Sequence, residues 1–291
     1  MMDMFLDVLM DTLMDSLKIL PFLFLTYVIM EYIEHRMGEK TKKVVKKSGK
    51  FGPLLGSVLG IFPQCGFSAA AANLYAGKVI TVGTLLAIFL STSDEMLPIL
   101  ISEQVNPIVI VKILAVKVLI AIIAGFAVDA FVRGHRKEGN NEEAEEHIGH
   151  MCDHDHCHCE EGIIKSACIH TLQIILFIFI ISFILNTGVT FIGEETLSAI
   201  VLNRPILGVL LSGIVGLIPN CAASVVITQL YLEGMLSTGA MLSGLLVGAG
   251  VGVLVLFREN LHVKENIKIV FLLYTIGVVA GIILECIGFQ I

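Results

Sequence analysis

The chain has 291 residues, 56% of them hydrophobic and 15% charged, with a formal charge of −7. Soluble globular proteins carry about 45–50% apolar and about 25% charged residues, so that class is excluded, along with disorder, collagen and a disulfide-stapled module. The composition predicts an all-α integral membrane protein, and the acidic balance argues against a nucleic-acid partner.

Asp3, Asp7, Asp11 and Asp15 recur every four residues, with Phe5, Leu6, Leu9 and Leu13 between them. A helix puts those carboxylates on one side, which predicts an interfacial helix over 1–16. No basic n-region of a cleaved signal peptide precedes it. A span needs about 20 mostly apolar residues, and the first lies at about 17–36. Glu31 and His35 sit four residues apart on it and face the same way, a candidate metal or proton pair near the interface.

Six lysines crowd residues 40–50. The next apolar stretch, about 52–76, is broken by Pro63-Gln64-Cys65-Gly66, where Pro restricts the residue before it and Gly accepts unusual dihedrals. A span at about 79–101 contains Ser91-Thr92-Ser93-Asp94-Glu95. Adjacent carboxylates at that depth cost several kcal/mol each unless paired, neutralised or hydrated. Asp94 and Glu95 are therefore the candidate coupling or cation-binding carboxylates. Lys117, some nine residues into the next span (about 108–132), is too deep to snorkel easily and is a candidate partner. Lys112, Lys268, Asp129 and Glu285 lie near span ends and are expected to snorkel.

Residues 134–162 hold nine acidic and two basic side chains, a net of −7, so the rest of the chain is formally neutral. His147, His150, Cys152, His154, His156, Cys157, His158 and Cys159 fall in this tract. Imidazole and thiolate are the ligands of zinc and its neighbours, and carboxylates add harder sites. The alternation fits no single zinc-finger spacing and reads as a flexible loop that captures, buffers or senses metal. The seven cysteines form no secreted framework and read as thiols or metal ligands.

The second half offers spans at about 163–185, 238–257 and 267–288, and a broken stretch at about 205–232. A shift of 156 residues aligns Gly60-Ile61-Phe62-Pro63-Gln64-Cys65 with Gly216-Leu217-Ile218-Pro219-Asn220-Cys221, without a gap over some seventy residues. It also pairs Ser68 with Ser224, Tyr75 with Tyr231, Gly83 with Gly239 and Asp129 with Glu285. The domains are thus the helix over 1–16, a membrane repeat over 17–133, the loop over 134–162 and a second repeat over 163–291.

Lys40–Lys50 and Arg133–Lys137 both belong in the cytoplasm by the positive-inside rule. Three full spans between them would break it unless 52–76 is a re-entrant hairpin or two short crossings. Each repeat then crosses an odd number of times, so the second is inverted. The architecture is two inverted repeats, each with about three spans and a broken or re-entrant hairpin, about ten membrane segments in all. Inverted repeats with broken helices mark secondary transporters. Gln64, Cys65, Ser68, Asn220, Cys221 and Ser224 are the candidate substrate ligands: thiols suit soft metals and metalloids, amide oxygens harder ions. Small residues at tight helix contacts explain the same positions without a ligand. No His-Glu-x-x-His, Gly-x-Ser-x-Gly, P-loop or Cys-x-x-Cys is present, which argues against an enzyme.

The duplicated Gly-x-x-Pro-Gln/Asn-Cys segments, the Ser-Thr-Ser-Asp-Glu run after the first, and the His-rich middle loop resemble the ten-helix heavy-metal exporters. That family is variously labelled arsenic efflux proteins or manganese transporters. The resemblance spans nearly the whole chain except the first dozen residues and the middle loop. It implies a multi-pass protein of the cytoplasmic membrane that exports a metal ion or metalloid. Protons are a possible coupling ion; no cofactor is required beyond the transported or loop-bound metal. A metal-gated receptor or channel is the alternative, distinguished by metal binding without concentrative flux.

Overall fold

The structure is a computed structural model and describes residues 51–62, 65–93, 96–135 and 205–289, with scattered helical positions between 9 and 28 and between 168 and 187. In the continuous stretches, the regular elements are all helices. The first set is α1 (Gly52–Leu59), α2 (Cys65–Ala76), α3 (Val82–Ser91), α4 (Met96–Ser102) and α5 (Pro107–His135). The second is α6 (Pro205–Gly216), α7 (Cys221–Leu232), α8 (Thr238–Val247), α9 (Gly252–Glu259) and α10 (Val263–Ile287).

The duplication read in the sequence recurs as local structure. At α3 the Thr81 side chain caps by accepting from Thr84 N–H, and at α8 Ser237 accepts from Ala240 N–H. Asp129 accepts the Gly83 N–H at 2.9 Å, and Glu285 accepts the Gly239 N–H at 3.2 Å. A Cβ on Gly125 would stand 2.7 Å from Gly83 O, and one on Gly281 would stand 2.7 Å from Gly239 O. Only glycine lets those helix pairs approach so closely. Each of these features maps onto its counterpart by the same shift of 156.

The contacts fix the directions of α1, α2, α3, α5 and α10. Asp129, near the end of α5, meets the start of α3; Lys78, just before α3, has its Nζ 3.9 Å from Glu265 at the start of α10. The end of α5 and the start of α10 therefore lie together, and the two long helices run in opposite directions. The repeats are inverted. Gly52, Gly56 and Gly60 lie against Thr84, Ile88 and Ser91 in turn, so α1 runs alongside α3 from the Lys78 end towards the middle. From there α2 returns, because Tyr75 donates to Glu265 at the Lys78 end. The stretch 52–76 is a re-entrant hairpin, which chooses between the two sequence options.

The expected spans 79–101 and 238–257 are not continuous helices. Each breaks in the middle, at Thr92 and Ser93 after α3 and at 248–251 between α8 and α9. In the first, the Ser91, Thr92 and Ser93 hydroxyls donate to the carbonyls of Ala87, Ile88 and Ser91 at 2.7–3.1 Å, competing with the helical ladder. In the second, Gly250 takes φ +52. Apolar periodicity does not register hydroxyl back-bonding, so the break was not legible as such.

Two buried clusters hold the core, and each mixes the repeats: Leu85 and Phe89 with Leu256 and Leu273, Met96 and Ile113 with Met241 and Leu242. Outward faces are apolar, including Val111, Leu119 and Ile123 on α5 and Phe271 and Ile283 on α10. Val82–Ser102, Pro107–Val132, Thr238–Glu259 and Val263–Ile287 are long and apolar enough to cross a membrane. Near the N-terminus Thr12 and Ser16 are buried while Met10, Leu13, Met14 and Leu17 are exposed, an outward apolar face. Two expectations need correction. Asp129 is 6% exposed and does not snorkel, and Glu285 likewise turns to a backbone N–H. Both are bound by an unsatisfied helix N-terminus, which outweighs the pull of solvent.

Candidate functional site

Four chain ends or breaks reach the middle of the fold: the end of α1, where Gly60 lies against Ser91, the turn before α7, and the interruptions of the two broken spans. Between three of them lies a small cavity. Thr92, Ser93 and Met96 line it from the first broken span, Asn220 and Ser224 from the second hairpin, and Leu245, Gly248 and Gly250 from the second broken span. Non-helical backbone at this depth is stable only where it is buried in protein or lines a polar cavity.

Lys117 lies beside it. The side chain is 1% exposed, and Nζ donates to the Thr92 carbonyl and, at 3.0 Å, to the Leu245 carbonyl. Both carbonyls belong to residues lining the cavity, one from each repeat. Both sit in the last turn of a half-helix, where carbonyls lack an intrahelical donor and the dipole is negative. A buried ammonium is costly unless held in this way. The counterpart of Lys117 in the second repeat is Leu273, fully buried in the apolar core. The scaffold is symmetric and its charge is not.

The structure brings Asn220, Ser224 and the partners of Lys117 to one place. Ser68 is buried but stands at a different contact: a Cβ on Gly252 would meet the Ser68 Cβ at 2.8 Å, so α2 and α9 close tightly there. At the counterpart of that contact, Met96 replaces Gly252 beside Ser224, and there the cavity opens. Cys65 and Cys221 begin α2 and α7. Asp94 and Glu95 fall in the chain between Ser93 and Met96, both of which line the cavity.

Gln64, Asp94, Glu95, Glu31 and the loop residues His147, His150, Cys152, His154, His156, Cys157, His158 and Cys159 lie outside the described residues, as do the side chains of Cys65 and Cys221. Among the described residues no three His, Cys, Asp or Glu side chains gather, and the cavity lining joins three hydroxyls, one amide and one thioether to apolar Ala223 and Leu245 and to glycine backbone. Cys168 and Cys286 are exposed free thiols.

Sequence reasoning missed a second polar group. At the Lys78 end Tyr75 and Lys78 of the first repeat meet Glu265 of the second. Beside them Asn260 donates to Asn266 at 2.7 Å, and Asn266 returns a bond to the Asn260 carbonyl, also 2.7 Å. The counterparts of Tyr75, Lys78 and Glu265 are Tyr231, Gly234 and Val109, so these positions cannot repeat the ion pair. That asymmetry was present in the aligned repeats and could have been read there.

The chain matches no curated protein and no solved structure. A family model matches residues 2–199, which takes in the N-terminal residues and the middle loop and stops before the second hairpin apex. The likeness of that second apex to the first is therefore internal to the chain. With about two thirds of its residues matched, the chain belongs to the family described as "Putative, 10TM heavy-metal exporter".

Proposed function

We propose that the protein is a secondary transporter that moves a metal ion or metalloid out of the cytoplasm across the cytoplasmic membrane, coupled to protons. One observation carries this reading. Broken helices from two antiparallel repeats meet at a single central cavity, with a buried ammonium beside it. Alternating access by rocking of inverted repeats works around a fixed midplane site of this kind.

The Lys78 end faces the cytoplasm in this reading, since it gathers Lys78, Arg133, Arg258 and Lys264 and follows the Lys40–Lys50 run. Gln64, Cys65, Asn220, Cys221 and Ser224 supply the substrate ligands, while Ser68 serves the close packing of α2 on α9. Asp94 and Glu95, with Lys117 and Glu31, carry the coupling charge. The oxygen donors of the described lining favour a hard divalent ion such as manganese; Cys65 and Cys221 would instead favour an arsenite-like species. The 134–162 loop raises the local metal concentration on the cytoplasmic side. Cells with and without the protein, challenged with a panel of metals and metalloids, test this. Lower accumulation of at least one species in the expressing cells is expected, and unchanged accumulation of all of them overturns it.

A further inference from the structure

We propose that the Thr92 and Leu245 carbonyls form a cation site shared by the two repeats, with the Lys117 ammonium as its resident occupant and a small hard cation as its competitor. The inference deepens the transport reading and rests on it for the route by which a cation arrives.

The geometry is that of a cation held by oxygen. Thr92 caps α3 with ψ 132, so its carbonyl leaves the helical direction. Leu245 is two residues from the end of α8, and the chain turns away at Gly248 before an amide can close the next bond to it. Two orphan carbonyls from opposite repeats thus point at one position, and Lys117 Nζ fills it. In the adjoining cavity, Ser93, Asn220 and Ser224 are the lining residues, besides Thr92, that carry side-chain oxygens. Oxygen donors of this kind favour sodium, potassium or a hard divalent ion over a thiophilic one, the Met96 thioether being the one soft group in the lining.

The repeat gives the control. The second repeat places Leu273, fully buried in the apolar core, where the first has Lys117. Among the described residues, the helices packed against α5 are α1, α3, α4 and α8, and none of them carries an ionisable side chain; Asp94 and Glu95, between α3 and α4, lie outside the described residues. Lys117, on α5, donates to both carbonyls, and removing it takes that donor from each of them.

The test uses the full chain in nanodiscs and the variant Lys117→Leu, which copies the second repeat. Thermal unfolding is followed in N-methylglucamine chloride and, at matched ionic strength, with sodium, potassium or manganese chloride. The wild-type midpoint is expected to move less between these salts than that of Lys117→Leu. Lys117→Leu is expected to unfold earlier in N-methylglucamine and to regain about 5 °C with at least one small cation. Lys117→Arg, which keeps a cation in place, should behave as wild type. Equal midpoints for Lys117→Leu in all four salts overturn the proposal. If that variant is lost on extraction, its yield is compared between N-methylglucamine and potassium: recovery only with potassium supports the site, and equal loss overturns it. Export by the wild type with no cation response in Lys117→Leu removes the site alone; a cation response without export removes the transport reading alone.

Discussion

The Asp129 carboxylate accepts the Gly83 N–H at 2.9 Å and the Thr81 hydroxyl at 2.7 Å, and so fastens the end of α5 to the start of α3. Asp129→Ala leaves the helix N-terminus short of an acceptor in a buried place. The expected cost is about 1–3 kcal/mol. Glu285→Ala removes the corresponding 3.2 Å bond to Gly239 and should cost less. Thermal unfolding of the two variants checks the order; an Asp129 variant as stable as wild type would contradict the capping role.

The crossings beside these carboxylates permit no side chain. Gly125→Ala and Gly281→Ala each place a methyl 2.7 Å from a backbone carbonyl that cannot move without its helix. Overpacking of this kind costs about 1–3 kcal/mol or more. Both variants should show reduced yield and earlier unfolding. Gly234→Ala, which has no neighbour within 4 Å and is strained only by its φ of +73, should do less damage.

At the Lys78 end the two repeats are joined by Tyr75 and Lys78 on one side and Glu265 on the other. A hydrogen bond to a charged acceptor is worth about 1.5–3 kcal/mol, while a partly exposed ion pair at 3.9 Å is worth under about 1 kcal/mol. Tyr75→Phe should therefore lower the unfolding midpoint more than Lys78→Met. The reverse order would show that the ion pair, and not the phenol, holds that end.

Substrate chemistry divides on sulfur. If Cys65 and Cys221 bind the transported species, Cys65→Ser/Cys221→Ser abolishes resistance to a thiophilic metalloid while leaving the folded protein in the membrane. Transport unchanged in this double variant rules out thiol ligation and leaves the oxygen donors of Asn220 and Ser224.

Much of this architecture was legible before any coordinate. Pro63-Gln64-Cys65 and Pro219-Asn220-Cys221 interrupt apolar runs, and a chain break needs only such local chemistry to be read. The lysine distribution then required inversion, which the opposed courses of α5 and α10 bear out. Two features were hidden. The breaks after Thr92 and Val247 lie inside apolar runs whose hydropathy is that of an ordinary span. The partners of Lys117 are backbone carbonyls, which a sequence does not distinguish from one another, and one of them is 128 positions away. Its depth could be counted along the span; what it binds could not.

The most direct test of the transport account is uptake into everted membrane vesicles energised with a proton gradient. The species selected by the metal panel should accumulate in vesicles carrying the wild-type protein. Accumulation should collapse with the gradient and be lost in Asp94→Asn/Glu95→Gln. Wild-type vesicles that take up no more than vesicles lacking the protein would contradict export itself, and undiminished uptake by the double variant would contradict carboxylate coupling.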